Sequence, residues 1–221
     1  MAAICERFDT LGLEDPSRTY RLGIMGGTFD PIHMGHLSCA EEVADAFHLD
    51  GVVFMPAGDP WMKHNRRVSG AEDRFAMTRL AVADNPKFCV SRIEIDRAGE
   101  TYTVDTLRIM RSHYPDNVEL YFISGADAIA NIASWRGAAE LGALAHFVGV
   151  TRPGYSMDRA REEYLRSQED LFDLHQLEIT ALAISSTDLR TKVRNGQSIR
   201  YLTPQPVVEY IQEHGLYPLE D

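Results

Sequence analysis

A short apolar run, Leu22-Gly23-Ile24-Met25, opens into Gly26-Gly27-Thr28-Phe29-Asp30-Pro31-Ile32-His33-Met34-Gly35-His36. Immediately afterwards Leu37, Ala40, Val43, Ala44 and Phe47 recur at helical spacing. A buried strand that feeds a helix through a glycine-rich turn is a βαβ construction, and its right-handed crossovers generate a parallel sheet. The glycines let backbone N–H groups come close to a phosphate, and the helix behind them directs its positive end to the same point. His33 and His36, three residues apart, face one ligand. Taken alone, two glycines are as often a tight connection as a phosphate cradle. Two histidines without nearby Cys or other well-spaced ligands make a poor zinc set.

The alternation continues along the chain. Val52 to Met55 reads as a strand, 56 to 67 as a loop, and Ser69 with Glu72 as a capping box that opens a helix with Phe75, Ala76 and Leu80 on its apolar face. A strand near Phe88 to Ile95, a helix over Thr103 to His113, a strand over Glu119 to Ser124, helical turns to Leu144 and a strand over Phe147 to Val150 follow. The polar stretch from Thr151 to Leu171 reads as a helix, Leu177 to Ile184 as extended chain, Ser185-Ser186-Thr187 as a helix start and Pro204 to Glu213 as the closing helix. The predicted class is α/β: a Rossmann-like doubly wound sheet, mostly parallel, with ligands beyond the carboxyl ends of its strands. Residues 1–19 are predicted to be a flexible or loosely packed extension, and 20–221 a single domain.

A net charge of −11 without a long Lys/Arg run disfavours a nucleic-acid partner, while leaving room for a small phosphorylated ligand held by local donors. The three cysteines, Cys5, Cys39 and Cys89, are odd in number and far apart, which predicts no disulfide framework and fits a reducing cytoplasm. No apolar run approaches the roughly 20 residues that span a bilayer, so no membrane partner is expected. A homo-oligomer remains compatible with the sequence.

The glycine loop lacks the Gly-Lys-Ser/Thr ending of a P-loop and is not G-x-G-x-x-G. His33-Met34-Gly35-His36 instead resembles the H-x-G-H signature of the nucleotidyltransferase superfamily, with Gly-Gly-Thr-Phe-Asp-Pro directly before it. Ile184-Ser185-Ser186-Thr187-Asp188-Leu189-Arg190 resembles that superfamily's second signature, I-S-S-T-x-x-R. On its own that segment reads as a capped helix with a surface arginine. Thr101-Tyr102-Thr103-Val104-Asp105-Thr106-Leu107 and Gly125-Ala126-Asp127-Ala128, followed by Trp135, resemble the nicotinate-nucleotide adenylyltransferases, bacterial enzymes of NAD synthesis. The resemblance runs from Arg21 to Tyr217.

The resemblance implies adenylyl transfer from ATP to nicotinate mononucleotide, with release of pyrophosphate and with Mg²⁺ accompanying ATP. It implies catalytic roles for His33, His36, Lys63 and Arg190. It implies nucleotide contacts from Gly26, Gly27, Thr28, Phe29, Gly35, Gly125, Asp127, Arg152, Ser185 and Ser186, and mononucleotide contacts from Thr103 and Trp135. No protein metal ligand is named. Plain alternatives accompany these roles: Trp135 as packing, Thr103 and Asp127 as helix caps, Arg152 and Lys63 as exposed cations. The segment from Pro56 to Lys63 departs from the family, because Trp61-Met62 stands where many members have Pro-His. Nicotinamide mononucleotide or phosphopantetheine as the acceptor, or a non-catalytic nucleotide sensor, are the competing functions.

Overall fold

In the computed structural model, the described residues are 4–59, 68–154, 171–180 and 182–218. Lys63, its neighbours Trp61 and Met62, and most of the helix expected between Thr151 and Leu171 lie outside them.

Strand β1, Tyr20–Gly27, occupies the middle of a six-stranded, all-parallel sheet. With β2 (Gly51–Pro56), β3 (Phe88–Val90), β4 (Val118–Gly125), β5 (His146–Thr151) and β6 (Leu174–Glu178), the order is β3-β2-β1-β4-β5-β6. The order reverses between β1 and β4, so loops after these two strands diverge and leave a crevice at their carboxyl ends. The doubly wound expectation is met.

Both faces of the sheet are covered, which explains why its central strands read as unbroken apolar runs. Leu22, Ile24, Val53, Met55, Leu120 and Phe122 point to one side, against Val104, Leu107 and Met110 of helix α5 (Thr103–His113). Met25, Val52, Phe54, Ile123 and Val148 point to the other, against Ala40, Val43 and Ala44 of α2 (Met34–Ala46). That second layer also holds α3 (Ala71–Ala81), α8 (Ser186–Arg194) and α9 (Gln205–Glu213), whose Leu189, Val207 and Ile211 are buried. Short helices α1 (Glu6–Asp9), α4 (Ile93–Asp96), α6 (Ala126–Ile129) and α7 (Ala138–Leu144) complete the connections.

Three local expectations are corrected. First, residues 4–8 are packed and the largely exposed stretch from Leu13 to Arg18 is tied to Asn117, rather than loose. Ile4, Cys5 and Phe8 are buried, the Phe8 ring stands edge-on to Tyr114 at 5.6 Å, and the Asn117 amide donates to the Asp15 and Arg18 carbonyls. Only one turn there is helical, so a periodic signal never develops, yet its apolar side chains close the sheet's lower edge. Second, Cys5 is disulfide-bonded to Cys89 with Cα atoms 5.6 Å apart, although 84 residues separate them. Packing of α1 beside β3 creates that proximity, and spacing in sequence cannot reveal it. Third, α3 is capped at Gly70 without a side-chain bond, so the Ser69/Glu72 capping box does not form. Ser69 offers its carbonyl to Arg74, and Glu72 pairs with Arg92.

Candidate active site

The loop between β1 and α2 is tied down from several directions. Phe29 adopts a left-handed backbone (φ 51°) that turns its ring inward, where it is buried edge-on to His36 at 5.1 Å. The amide of Met34 donates to the Leu202 carbonyl at 2.9 Å, and the Thr203 hydroxyl donates to the Ile32 carbonyl at 2.8 Å. Asp30 is buried and accepts the Tyr217 hydroxyl at 2.7 Å. The loop is therefore rigid before a ligand arrives, as a site that must align reacting groups requires.

His33 caps α2 with an extended backbone, and its ring stacks on that of His36, centroids 3.7 Å apart. The glycine between the two is required by that stack. A Cβ on Gly35 would lie 3.1 Å from His33 Nδ1. The His33 amide donates to His36 Nδ1 at 3.2 Å, so in the neutral ring of His36 the proton sits on Nε2. Burial, reinforced by the positive charge of Arg152, pushes the His33 imidazole down to about 4, so it is neutral at pH 7. Its Nδ1 is shielded from solvent and turned to the first turn of α2, where the two histidines form a reciprocal capping box. The first turn of α2 carries no acidic residue to cancel the helix's positive end.

The second signature docks on the first. Ser186 Oγ donates to the Pro31 carbonyl at 2.9 Å, and Arg190 Nη1 donates to the Asp30 carbonyl at 2.7 Å. Arg190 Nη2 donates to Thr187 Oγ1 at 3.1 Å, and the residue is buried. Ser185 is the side-chain cap of α8, accepting the Asp188 amide at 3.1 Å.

These contacts enclose a crevice of about 770 Å³ beyond the ends of β1, β4 and β5. It is lined by Gly26, Thr28, Phe29, His33, Gly35, His36, Gly125, Asp127, Arg152, Ser185 and Ser186. Eleven of the residues named from sequence thus converge from four separate chain segments. Gly27 and Arg190 are outside this lining, Arg190 bonded to the loop backbone at Asp30 and to the Thr187 hydroxyl.

Thr103 and Trp135 lie apart from the crevice, on the α5 face of the sheet, and close to each other. Thr103 is the first residue of α5, with Tyr102 as its cap. The Arg136 guanidinium sits 4.5 Å over the Tyr102 ring, which ties the Trp135 turn to that helix start. Trp135 stands edge-on to Phe122 at 5.9 Å, and the Phe122 ring in turn lies 3.6 Å from where a Gly26 Cβ would be. Trp135 and the glycine loop therefore flank one aromatic ring.

Two buried ions support the site and were not singled out by the sequence. Arg74 donates to the carbonyls of Ser69, Thr28 and Gly58. Glu94 is buried on α4, accepts Thr106 Oγ1 at 2.7 Å, and is pushed up to about 7 by burial. Neither has a local pattern to mark it; an Arg or Glu inside a helix otherwise reads as a solvated face. Cys39 also lines the crevice, but burial pushes its thiol far up, so it stays protonated and is a poor nucleophile.

The Glu94 shift has a measurable consequence. A folded-state value raised above the unfolded one means that the native chain binds more protons between about pH 4.5 and 7. Its stabilising contribution is present below that window and lost as pH rises through it. Glu94→Gln is expected to remove the loss, so that the Tm difference between variant and wild type grows in the variant's favour from pH 5 to pH 8; a constant difference would show that Glu94 does not titrate there.

A parallel sheet with this switch point, a stacked H-x-G-H pair at the head of α2 and a second signature docked on the same loop define a nucleotidyltransferase. A family model described as Cytidylyltransferase-like matches residues 24–192. A protein of Mycolicibacterium vanbaalenii, described as a probable nicotinate-nucleotide adenylyltransferase, is 52% identical over 92% of this chain and 94% of its own length. One of Corynebacterium glutamicum with the same description is 53% identical over 90% and 89%. The chain belongs to the nicotinate-nucleotide adenylyltransferase family. Its fold is similar to that of the Plasmodium falciparum nicotinic acid mononucleotide adenylyltransferase, solved in complexes with APC and with NaAD. The NaAD complex matches with TM-score 0.69 and 20% identity, covering 90% of this chain and 97% of that one.

Proposed function

We propose that this chain transfers the adenylyl group of ATP to nicotinate mononucleotide, forming nicotinate adenine dinucleotide and pyrophosphate. The observation that carries the reading is the docking of the second signature on the first, through Ser186 to Pro31 and Arg190 to Asp30, around a crevice headed by His33 and His36. The acceptor's phosphate is already largely an anion at neutral pH, its second pKa being about 6, so the attack on the α-phosphorus needs no general base. What the protein supplies is alignment and stabilisation of the charge that develops.

In this reading ATP lies in the crevice with its phosphates over the glycine loop, at the positive end of α2. His36 donates from Nε2, and the neutral His33 ring stacks beside it at the head of α2. Asp127, at the mouth of the sheet, accepts ribose hydroxyls, and Arg152 approaches the nucleotide from the end of β5. Arg190 acts through the loop it holds. Thr103 and Trp135 receive the pyridine ring on the α5 side, with Phe122 between that region and the glycine loop. Lys63 is retained as a phosphate ligand on the strength of the family resemblance.

Mg²⁺ fits this site as a companion of ATP. Such a hard cation takes oxygen ligands, and the crevice lining carries hydroxyls at Thr28, Ser185 and Ser186 and a carboxylate at Asp127. Most of its ligands are then phosphate oxygens and water, and its chemistry is to neutralise phosphate charge. No helix of the described residues is long and apolar enough to cross a membrane. A cytoplasmic setting supplies both substrates.

The acceptor is tested by giving the purified chain ATP and Mg²⁺ with nicotinate mononucleotide, nicotinamide mononucleotide or phosphopantetheine while pyrophosphate is measured. The highest kcat/KM is expected with nicotinate mononucleotide. Preference for either other acceptor would reject the assignment, and ATP binding without turnover on any of them would mark a sensor.

A further inference from the structure

The lower end of the sheet, away from the crevice, carries a second constellation. Residues opposite one another on adjacent parallel strands share a face, as do residues two apart on one strand. His175 stands opposite Val148, and His146 is two residues before Val148, so both imidazoles are on the α2 face. Asp173, two before His175, joins them. His146 Nδ1 lies 2.5 Å from Asp173 Oδ2 and His175 Nε2 lies 3.1 Å from Asp173 Oδ1, with one ligand atom from each residue within 4.8 Å of the others.

Both rings are held in place. Tyr121, opposite His146 on β4, stacks on it at 4.6 Å, and Phe47 at the end of α2 stands edge-on to His175 at 5.3 Å. The site remains accessible, with side-chain exposures of 31% for His146, 37% for His175 and 52% for Asp173. The Glu119 carboxylate is close by, bonded to the Tyr121 hydroxyl and to Arg21.

We propose that His146, Asp173 and His175 bind a divalent transition-metal ion of the zinc class. Two imidazole nitrogens and one carboxylate, leaving a fourth position for water, suit zinc or cobalt and not the all-oxygen preference of magnesium or calcium. Ligation needs the imidazoles in their neutral form, so binding strengthens with pH. It acts away from adenylyl transfer. From His146 to Thr151, which lines the crevice, the strand spans about 17 Å at its usual rise. Its structural effect is to clamp β6, last in the strand order among the described residues, to β5.

The experiment uses the full chain, stripped with a chelator and exchanged into metal-free buffer. Zn²⁺ is titrated calorimetrically, and Co²⁺ is followed by its visible absorption. Wild type is expected to bind at this site with a tetrahedral Co²⁺ spectrum and to gain thermal stability with Zn²⁺. His146→Gln/His175→Gln is expected to lose that spectrum and to bind Zn²⁺ at least about 10–100-fold more weakly, the loss known even for outer-shell changes. It should keep adenylyl transfer, which reports that it is folded. Asp173→Asn, a near-isosteric change, serves if the double variant fails to fold and is expected to weaken binding likewise. The proposal is overturned if wild type binds neither ion, or if the folded variants retain its affinity and spectrum, as they would if His33 and His36 were the ligands. A cluster that titrates protons and takes up no metal would equally overturn it.

Discussion

Arg74→Met is expected to destabilise the chain by about 3–5 kcal/mol, the range for breaking a buried charge network by removing one partner. The guanidinium is 1% exposed and donates Nε to Ser69 O at 3.0 Å, Nη1 to Thr28 O at 3.1 Å and Nη2 to Gly58 O at 3.1 Å. Methionine fills the volume but donates nothing. Three carbonyls then lose their donor, each at about 1–3 kcal/mol if it stays buried and unpaired, and Asp30 loses a nearby positive charge. Partial relaxation of the loops keeps the total below the sum. Because Thr28 belongs to the glycine loop, the KM for ATP is expected to rise as well. Arg74→Lys is expected to recover only part of the loss, since an ammonium group lacks the planar fork that reaches three loops at once. Urea denaturation followed by circular dichroism measures the effect. A Met variant within about 1 kcal/mol of wild type, the size of an ordinary substitution, would show that the three loops do not depend on this residue.

His36→Ala is expected to lower kcat by about 10²–10³, the usual effect of deleting one preorganised donor to developing charge. The structural basis is the fixed tautomer: Nδ1 accepts the His33 amide, so the ring's proton sits on Nε2, the donor assigned to the phosphates. An interaction that strengthens as charge develops acts mainly on kcat, so the KM for ATP should change far less. Loss of the stacked ring also removes the support of His33, and His36→Asn, which keeps a short polar side chain, is expected to recover some rate. Steady-state pyrophosphate release at saturating substrates decides the matter. An unchanged kcat in the folded Ala variant would remove His36 from the reacting centre.

The parts that sequence made legible are those whose physics is local. Strand β1, the glycine loop and α2 follow one another within a few dozen residues, and their apolar periodicity announces a parallel sheet before any tertiary contact is known. His33, Gly35 and His36 likewise act through spacing: one helical turn brings the rings together, and the glycine makes room. Arg74, Glu94 and the Cys5–Cys89 pair were not legible because their meaning is wholly tertiary. Arg74 lies on a helix among Glu72, Asp73 and Arg79, a pattern that reads as a solvated face until the loops containing Thr28 and Gly58 fold over it. The N-terminal segment failed for the opposite reason: Ile4 and Phe8 are buried, but one helical turn is too short to show a period. Arg190 was legible as the cation of the second signature, whereas its bonds to the Asp30 carbonyl and the Thr187 hydroxyl depend on tertiary docking that spacing does not show.

In the proposed reaction the crevice aligns one displacement at the α-phosphorus, with the mononucleotide phosphate as nucleophile and no covalent enzyme intermediate. Cys39, the thiol in the lining, is held protonated by burial. The most direct test is the stereochemical course with ATP made chiral at the α-phosphorus by sulfur substitution. A single in-line attack predicts inversion of configuration in the dinucleotide product. Retention would require two displacements through an adenylylated side chain and would contradict it.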